Sequence, residues 1–177
     1  SMLVWGLGWP STKILTQFGS PLNLAIIRFA ATFLTLLVIL FILKEKLTIS
    51  KNGFWSLLMA ASLMSVYTMF FLVGIKKGSP GAGGILVTTL TPIATYTISL
   101  FMAKRRPATH EQLGLFLGIL AACFLVHIWE GVGHLLQSGN LFFLLSCVTW
   151  AILSRITARA KEFGSPLTFT LWLYAVC

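Results

Sequence analysis

Two basic residues lie inside long apolar stretches of the chain, Lys13 and Arg28. A charge within a membrane-spanning helix is costly, and such residues usually face a cavity or a partner. Lys13 and Arg28 flank the turn Phe18-Gly19-Ser20. At about 1.5 Å per helical residue they lie about 6 Å and about 10 Å from it. On this spacing the two can approach each other in one vestibule. There they would attract or hold an anionic group of a small molecule, such as a carboxylate, a phosphate or the acid end of a zwitterion. The competing readings are structural. A long basic side chain snorkels to the interface from about two turns in, and Arg28 can pair with helix ends and carbonyls.

Around this pair stand residues suited to lining a cavity: Trp5, Trp9, Tyr67, Tyr96 and Trp150. Aromatics in membrane helices also serve as interface anchors or packing. Thr88 is the leading hydroxyl, with Thr12, Thr89, Thr91 and Ser65 beside it as candidates. The alternative for each is a bond to its own helix backbone. Pro92 removes one helix hydrogen bond and deprives the Thr88 carbonyl of its usual donor. The result is a polar spot near mid-membrane, a cavity wall, a hinge or a structural kink. Gly114, Gly118 and Ala122 give one smooth face, read as helix packing or as dimerisation with a second copy. His127 sits near a helix end and reads as a surface histidine rather than a proton carrier.

The acids argue by their positions. The chain has no Asp, and Glu45, Glu111, Glu130 and Glu162 fall in loops or at helix ends. An exporter of lipophilic cations would place a carboxylate deep in the membrane. That mode is disfavoured for these residues, although helices beyond Cys177 would be able to supply the acid. No catalytic constellation, metal-ligand cluster or phosphate-binding loop is present in the sequence, and no cofactor is expected.

The elements that must position these residues follow from composition. The chain is 57% hydrophobic and 10% charged, with a mean hydropathy of +0.91. That lies outside the range of a soluble domain of 177 residues. It reads as an all-α polytopic membrane protein, with the bilayer as its main surroundings. The net charge of +9 does not imply nucleic acid, because the basic residues cluster in short loops between apolar runs. Cys123, Cys147 and Cys177 lie in apolar stretches, which argues against a disulfide framework. The first residues lack a basic n-region and a cleavage site. Both ends read as cut, as if the chain were a fragment of something nearly twice as long.

Helices are expected from Ser1 to near Gln17 and from Pro21, a favoured first position for proline, to near Leu43. Further helices are expected over about 53–75, 82–103, 111–129 and 139–161, and a seventh begins at Pro166. Lys76-Lys77-Gly78-Ser79-Pro80-Gly81 is a tight turn.

One pentapeptide occurs twice. Phe18-Gly19-Ser20-Pro21-Leu22 returns as Phe163-Gly164-Ser165-Pro166-Leu167. The same 145-residue offset carries Trp5 onto Trp150, Thr12 onto Thr157, Phe29 onto Tyr174 and Ala30 onto Ala175. The first helix therefore maps onto the sixth. Five crossings per unit force the second unit to enter the membrane in the opposite direction, an inverted-topology repeat. The units span 1–131 and 139–177, the second being only the start of its unit. Loop charge agrees. Lys44, Lys46 and Lys51, then Lys104, Arg105 and Arg106, then Arg155, Arg159 and Lys161 share one end, and only Lys76 and Lys77 lie in the opposite loops. The basic end is cytoplasmic by the positive-inside rule, which puts the N-terminus there too.

At this point the motifs resemble a known family. Trp5-Gly6, Trp9-Pro10 and Lys13 are similar to the first helix of the EamA family of the drug/metabolite transporter superfamily. Pro21 with Arg28-Phe29 resembles its second helix, and Gly74 to Gly84 followed by Leu90-Thr91-Pro92 its third and fourth. Gln112, Gly114 and Gly118 resemble the fifth, and Gly139, Trp150 and Ser154 the restart. Gly8 departs from a pattern that often has a polar residue such as Asn there. The resemblance implies a ten-helix bundle of two inverted five-helix units, of which this chain holds a truncated part. It also implies a central cavity, alternating access and bacterial inner-membrane members that export amino acids or other small metabolites. The alternatives from other classes are a non-transporting membrane scaffold or sensor and a membrane-embedded enzyme.

Overall fold

The structure, a computed structural model, describes residues 2–45, 47–50, 53–103, 107–131, 133 and 138–177, without the side chains of 2–5, 102, 103, 125, 126 and 128. Seven α-helices run through these residues. They are α1 (Met2–Phe18), α2 (Pro21–Leu43), α3 (Gly53–Lys77), α4 (Pro80–Ala103), α5 (Thr109–Val126), α6 (Asn140–Thr157) and α7 (Pro166–Val176). Short 3₁₀ turns follow α5 at Ile128–Glu130 and α6 at Ala160–Glu162. Among the described residues, four segments are long and apolar enough to cross a membrane: Pro21–Leu43, Gly53–Lys77, Pro80–Phe101 and Asn140–Glu162.

Local chemistry sets the boundaries. Pro21 opens α2, and the Ser20 hydroxyl accepts a hydrogen bond from the Asn23 N–H at 3.2 Å, satisfying a backbone donor that the first turn would otherwise orphan. Glu111 turns back to accept from the Ala108 N–H at 2.7 Å, so α5 starts two residues earlier than expected. It also ends earlier, at Val126 instead of near Trp129. His127 takes a left-handed backbone with φ 54°, and its N–H bonds the Cys123 and Phe124 carbonyls. Helix α6 likewise stops at Thr157, short of the expected span, and the 3₁₀ turn follows at Ala160–Glu162.

The chain directions are fixed by contacts at the two ends of α3. Near its C-terminus lie Gly139 and Phe143, at the start of α6. Near its N-terminus, the Ser50 N–H donates to the Phe163 carbonyl at 3.1 Å, and Phe163 lies against Gly53. Hence α6 runs antiparallel to α3. In α1, Trp9 meets Phe71 and Lys13 meets Ile75, so α1 runs parallel to α3. Helices α1 and α6 therefore point in opposite directions. The first Phe-Gly-Ser copy sits beside Lys76 and the second beside Thr48 and Gly53, at opposite ends of α3.

Helix α6 packs on both α3 and α4, α1 rests on the same two helices, and α2 packs against α7. The join between α6 and the α3–α4 hairpin is a glycine-lined socket. Phe143 is fully buried there, and a Cβ placed on Gly83 would overlap its ring. At Gly74 the added carbon would stand 2.9 Å from the same ring. Gly139 starts α6 at φ 75° and lies against the Gly74 carbonyl and the Gly78 N–H. Both the positive φ and the close backbone approach require glycine at that position.

Candidate functional site

Each side chain that faces the centre of the bundle is placed by one helix. Arg28 projects from α2, with its guanidinium carbon 5.6 Å from the ring centre of Phe71 on α3. Phe71 continues into a band of aromatics. Trp9 meets it edge-on at 5.0 Å, Tyr67 lies 5.9 Å away, and Tyr67 in turn meets Trp150 of α6 at 4.8 Å. Beside them Phe29 of α2 and Tyr174 of α7 touch at 5.8 Å.

The band has a buried floor and an open rim. Trp9, Tyr67 and Phe71 are buried, whereas Arg28 and Trp150 are exposed. A guanidinium over an aromatic face is held by the ring quadrupole without being neutralised. Its planar fork of N–H groups remains suited to a carboxylate. The exposed chemistry of this arrangement is a guanidinium beside the partly exposed indole of Trp150.

Lys13 does something else. Its ammonium donates to the carbonyls of Ile75, Lys76 and Gly78 at 2.8, 2.8 and 2.9 Å. An ammonium has three donors, and all three are used. These carbonyls belong to the last turn of α3 and its exit, where the helix dipole favours a cation. The expectation was that one or both of Lys13 and Arg28 attract or hold an anionic group, and the two side chains take different partners. Lys13 caps α3 and ties α1 to it, and Arg28 goes to Phe71.

The remaining candidates divide. Trp9 belongs to the packed core, between Phe71, Phe143 and Gly84. Tyr96 is half-buried on α4. Thr88 is exposed and donates to the Gly84 and Ile85 carbonyls of its own helix, and Thr12 and Ser65 do the same with Gly8 and Ala61. Helix α4 continues through Pro92. Gly118 lies against Ile93 of α4, where any Cβ would collide, and Gly114 faces open space. The side chain of Trp5 lies outside the described residues, as do Lys46, Lys51 and Lys104 to Arg106. No group of three or more potential metal ligands occurs among the described residues.

Sequence reasoning missed Phe71 and the buried Thr68, whose hydroxyl has no hydrogen-bond partner among the described residues. Tyr174 was visible only as the repeat mate of Phe29.

A family model described as the EamA-like transporter family matches residues 1–127. The chain is also similar to the uncharacterized transporter YoaV of Bacillus subtilis (strain 168), 28% identical over 154 residues, which is 85% of this chain and 52% of that protein. To the uncharacterized transporter YvbV of the same organism it is 24% identical over 178 aligned positions, 99% of this chain and 55% of that protein. The chain thus spans about half the length of the curated relatives it matches. No solved structure matches.

Proposed function

The chain belongs to the EamA-like transporter family, a family of multi-pass membrane transporters, and from that premise we propose that it forms part of a secondary transporter exporting small carboxylate-bearing metabolites, amino acids among them. The observation that carries the substrate class is the exposed Arg28 guanidinium over the Phe71 ring. Nearby, the exposed ring of Trp150, which packs on Tyr67, would accept the apolar part of the same molecule. Alternating access about a site near mid-membrane is supported by the opposite directions of α1 and α6, the arrangement used by inverted-repeat transporters. The distribution of basic loops supports a cytoplasmic N-terminus, and the family resemblance supports a bacterial inner membrane as its location.

The test is counterflow with the full-length protein in proteoliposomes. Labelled amino acids and other carboxylates should exchange against an internal pool, and a lipophilic cation should not. Exchange of the cation alone, or of none of these solutes in a preparation that is folded and oriented, overturns the substrate assignment.

A further inference from the structure

A cleft of about 550 Å³ opens at the end of the bundle where α1 turns into α2. The turn from Gln17 to Ser20 forms one wall, and Lys13, Thr16 and Lys76 form the other. Its lining includes none of Arg28, Tyr67 or Trp150, so it is separate from the aromatic site.

Two basic side chains and no acidic one line this cleft among the described residues. Lys13 is held by three neutral carbonyls, and a helix C-terminus offers roughly half a negative charge. Lys76 adds a second full charge and is exposed. Lys77 is turned away, its ammonium 4.9 Å from the ring of Phe142. None of the four glutamates of the chain lines the cleft. An anion placed there meets two ammonium groups and no opposing carboxylate.

The flank of the cleft decides which kind of anion. Ile14, Phe18 and Leu22 are exposed by 56%, 83% and 57% on the same turn and its two helices. In a bilayer such a surface is covered by acyl chains. A basic, polar cleft at the end of a helix hairpin above an apolar flank matches a molecule with a phosphate head and hydrocarbon tails. A soluble carboxylate or phosphate would use only the cleft.

We propose that this cleft binds the headgroup of an anionic phospholipid, with the phosphodiester between Lys76 and Lys13 and the acyl chains along Ile14, Phe18 and Leu22. Lys13 supplies a fixed field, because its donors are committed to α3. Lys76 supplies the N–H donors that contact the phosphate. The lipid would bridge the α1–α2 and α3–α4 turns at the same end of the bundle.

The experiment uses the full-length protein in phosphatidylcholine nanodiscs, with phosphatidylglycerol titrated in and bound lipid counted by native mass spectrometry. The native protein should retain phosphatidylglycerol over phosphatidylcholine. Lys76→Gln should weaken that retention about fivefold, the contribution of one basic side chain at an anionic surface, and Lys76→Glu should abolish the preference. Lys44→Gln, which removes the same charge at the other end of the bundle, should change nothing. Both tested lysines are exposed, and the thermal stability of each variant is measured alongside to confirm that it stays folded. Native retention by Lys76→Glu overturns the proposal, and so does an equal loss in Lys44→Gln. Displacement of the lipid by an equal concentration of glycerol phosphate overturns the lipid assignment in favour of a soluble anion.

Discussion

Phe29 and Tyr174 occupy the same place in the two copies of the repeat, and their rings meet at 5.8 Å with a 51° tilt. Residues that exchange under a twofold rotation touch only where the axis passes between them. Each is about 12 Å along its helix from the opening proline, at about 1.5 Å per residue. Pro21 and Pro166 lie toward opposite ends of α3, so the contact falls in the interior of the bundle. On the proposed inverted repeat, the pair would mark the line about which the two units are related, and Arg28 is adjacent to Phe29 on α2.

This contact predicts a measurable coupling. Phe29→Ala and Tyr174→Ala should each lower thermal stability in detergent. The double variant should lose less than the sum, by about 0.5–1.5 kcal/mol, the range for an aromatic pair beyond its area burial. Strict additivity in the cycle would mean that the rings do not touch.

The glycine socket around Phe143 gives a second test. Gly83→Ala should destabilise the protein by about 1–3 kcal/mol, because the added methyl overlaps a ring that has no room to retreat. Pairing it with Phe143→Leu should recover part of the loss. Gly114→Ala, on an open helix face, should be neutral or stabilising, by at most about 1 kcal/mol from helix propensity. Equal effects at the two glycines in thermal unfolding would show that the socket is not closed as described.

Much of this architecture was legible in sequence because it is written locally. Pro21, Ser20 and the repeated Phe-Gly-Ser turn fix where α2 and α7 begin, and apolar run length fixes α2 and α3. The end of α5 was not legible, since His127 adopts a left-handed conformation at a position with no glycine. The site was half legible. Trp150 was singled out by its repeat mate and Arg28 by its charge. Phe71 follows Met69-Phe70 in an apolar run where only packing distinguishes the inward ring. The role of Lys13 depends on carbonyls 62 to 65 residues away, a separation that no local pattern encodes.

That role separates two outcomes for Lys13→Met. As a cap, Lys13 serves three carbonyls of the α3 end, and its loss leaves them without a charged donor. Stability should fall by about 1–3 kcal/mol, with Lys13→Arg retaining part of it. Transport by the protein that stays folded should keep its KM. A raised KM with unchanged thermal stability would instead return Lys13 to the substrate.

Arg28 should behave in the opposite way. It is exposed, and its guanidinium lies over the Phe71 ring, so Arg28→Gln should cost little stability, about 0.5–1 kcal/mol of cation–π attraction. Its effect should fall on transport of carboxylate substrates, with kcat/KM reduced at least about tenfold, equivalent to about 1.4 kcal/mol. Arg28→Lys keeps the charge but loses the planar fork that meets a carboxylate on two N–H groups. It should therefore fall between the native protein and Arg28→Gln. A substrate that uses only charge would be carried equally well by the arginine and lysine forms. Phe71→Leu removes the ring that holds the guanidinium while leaving its charge, and should lower kcat/KM less than Arg28→Gln does. Native kinetics in Arg28→Gln, measured on protein of normal expression and stability, would remove Arg28 from the substrate path.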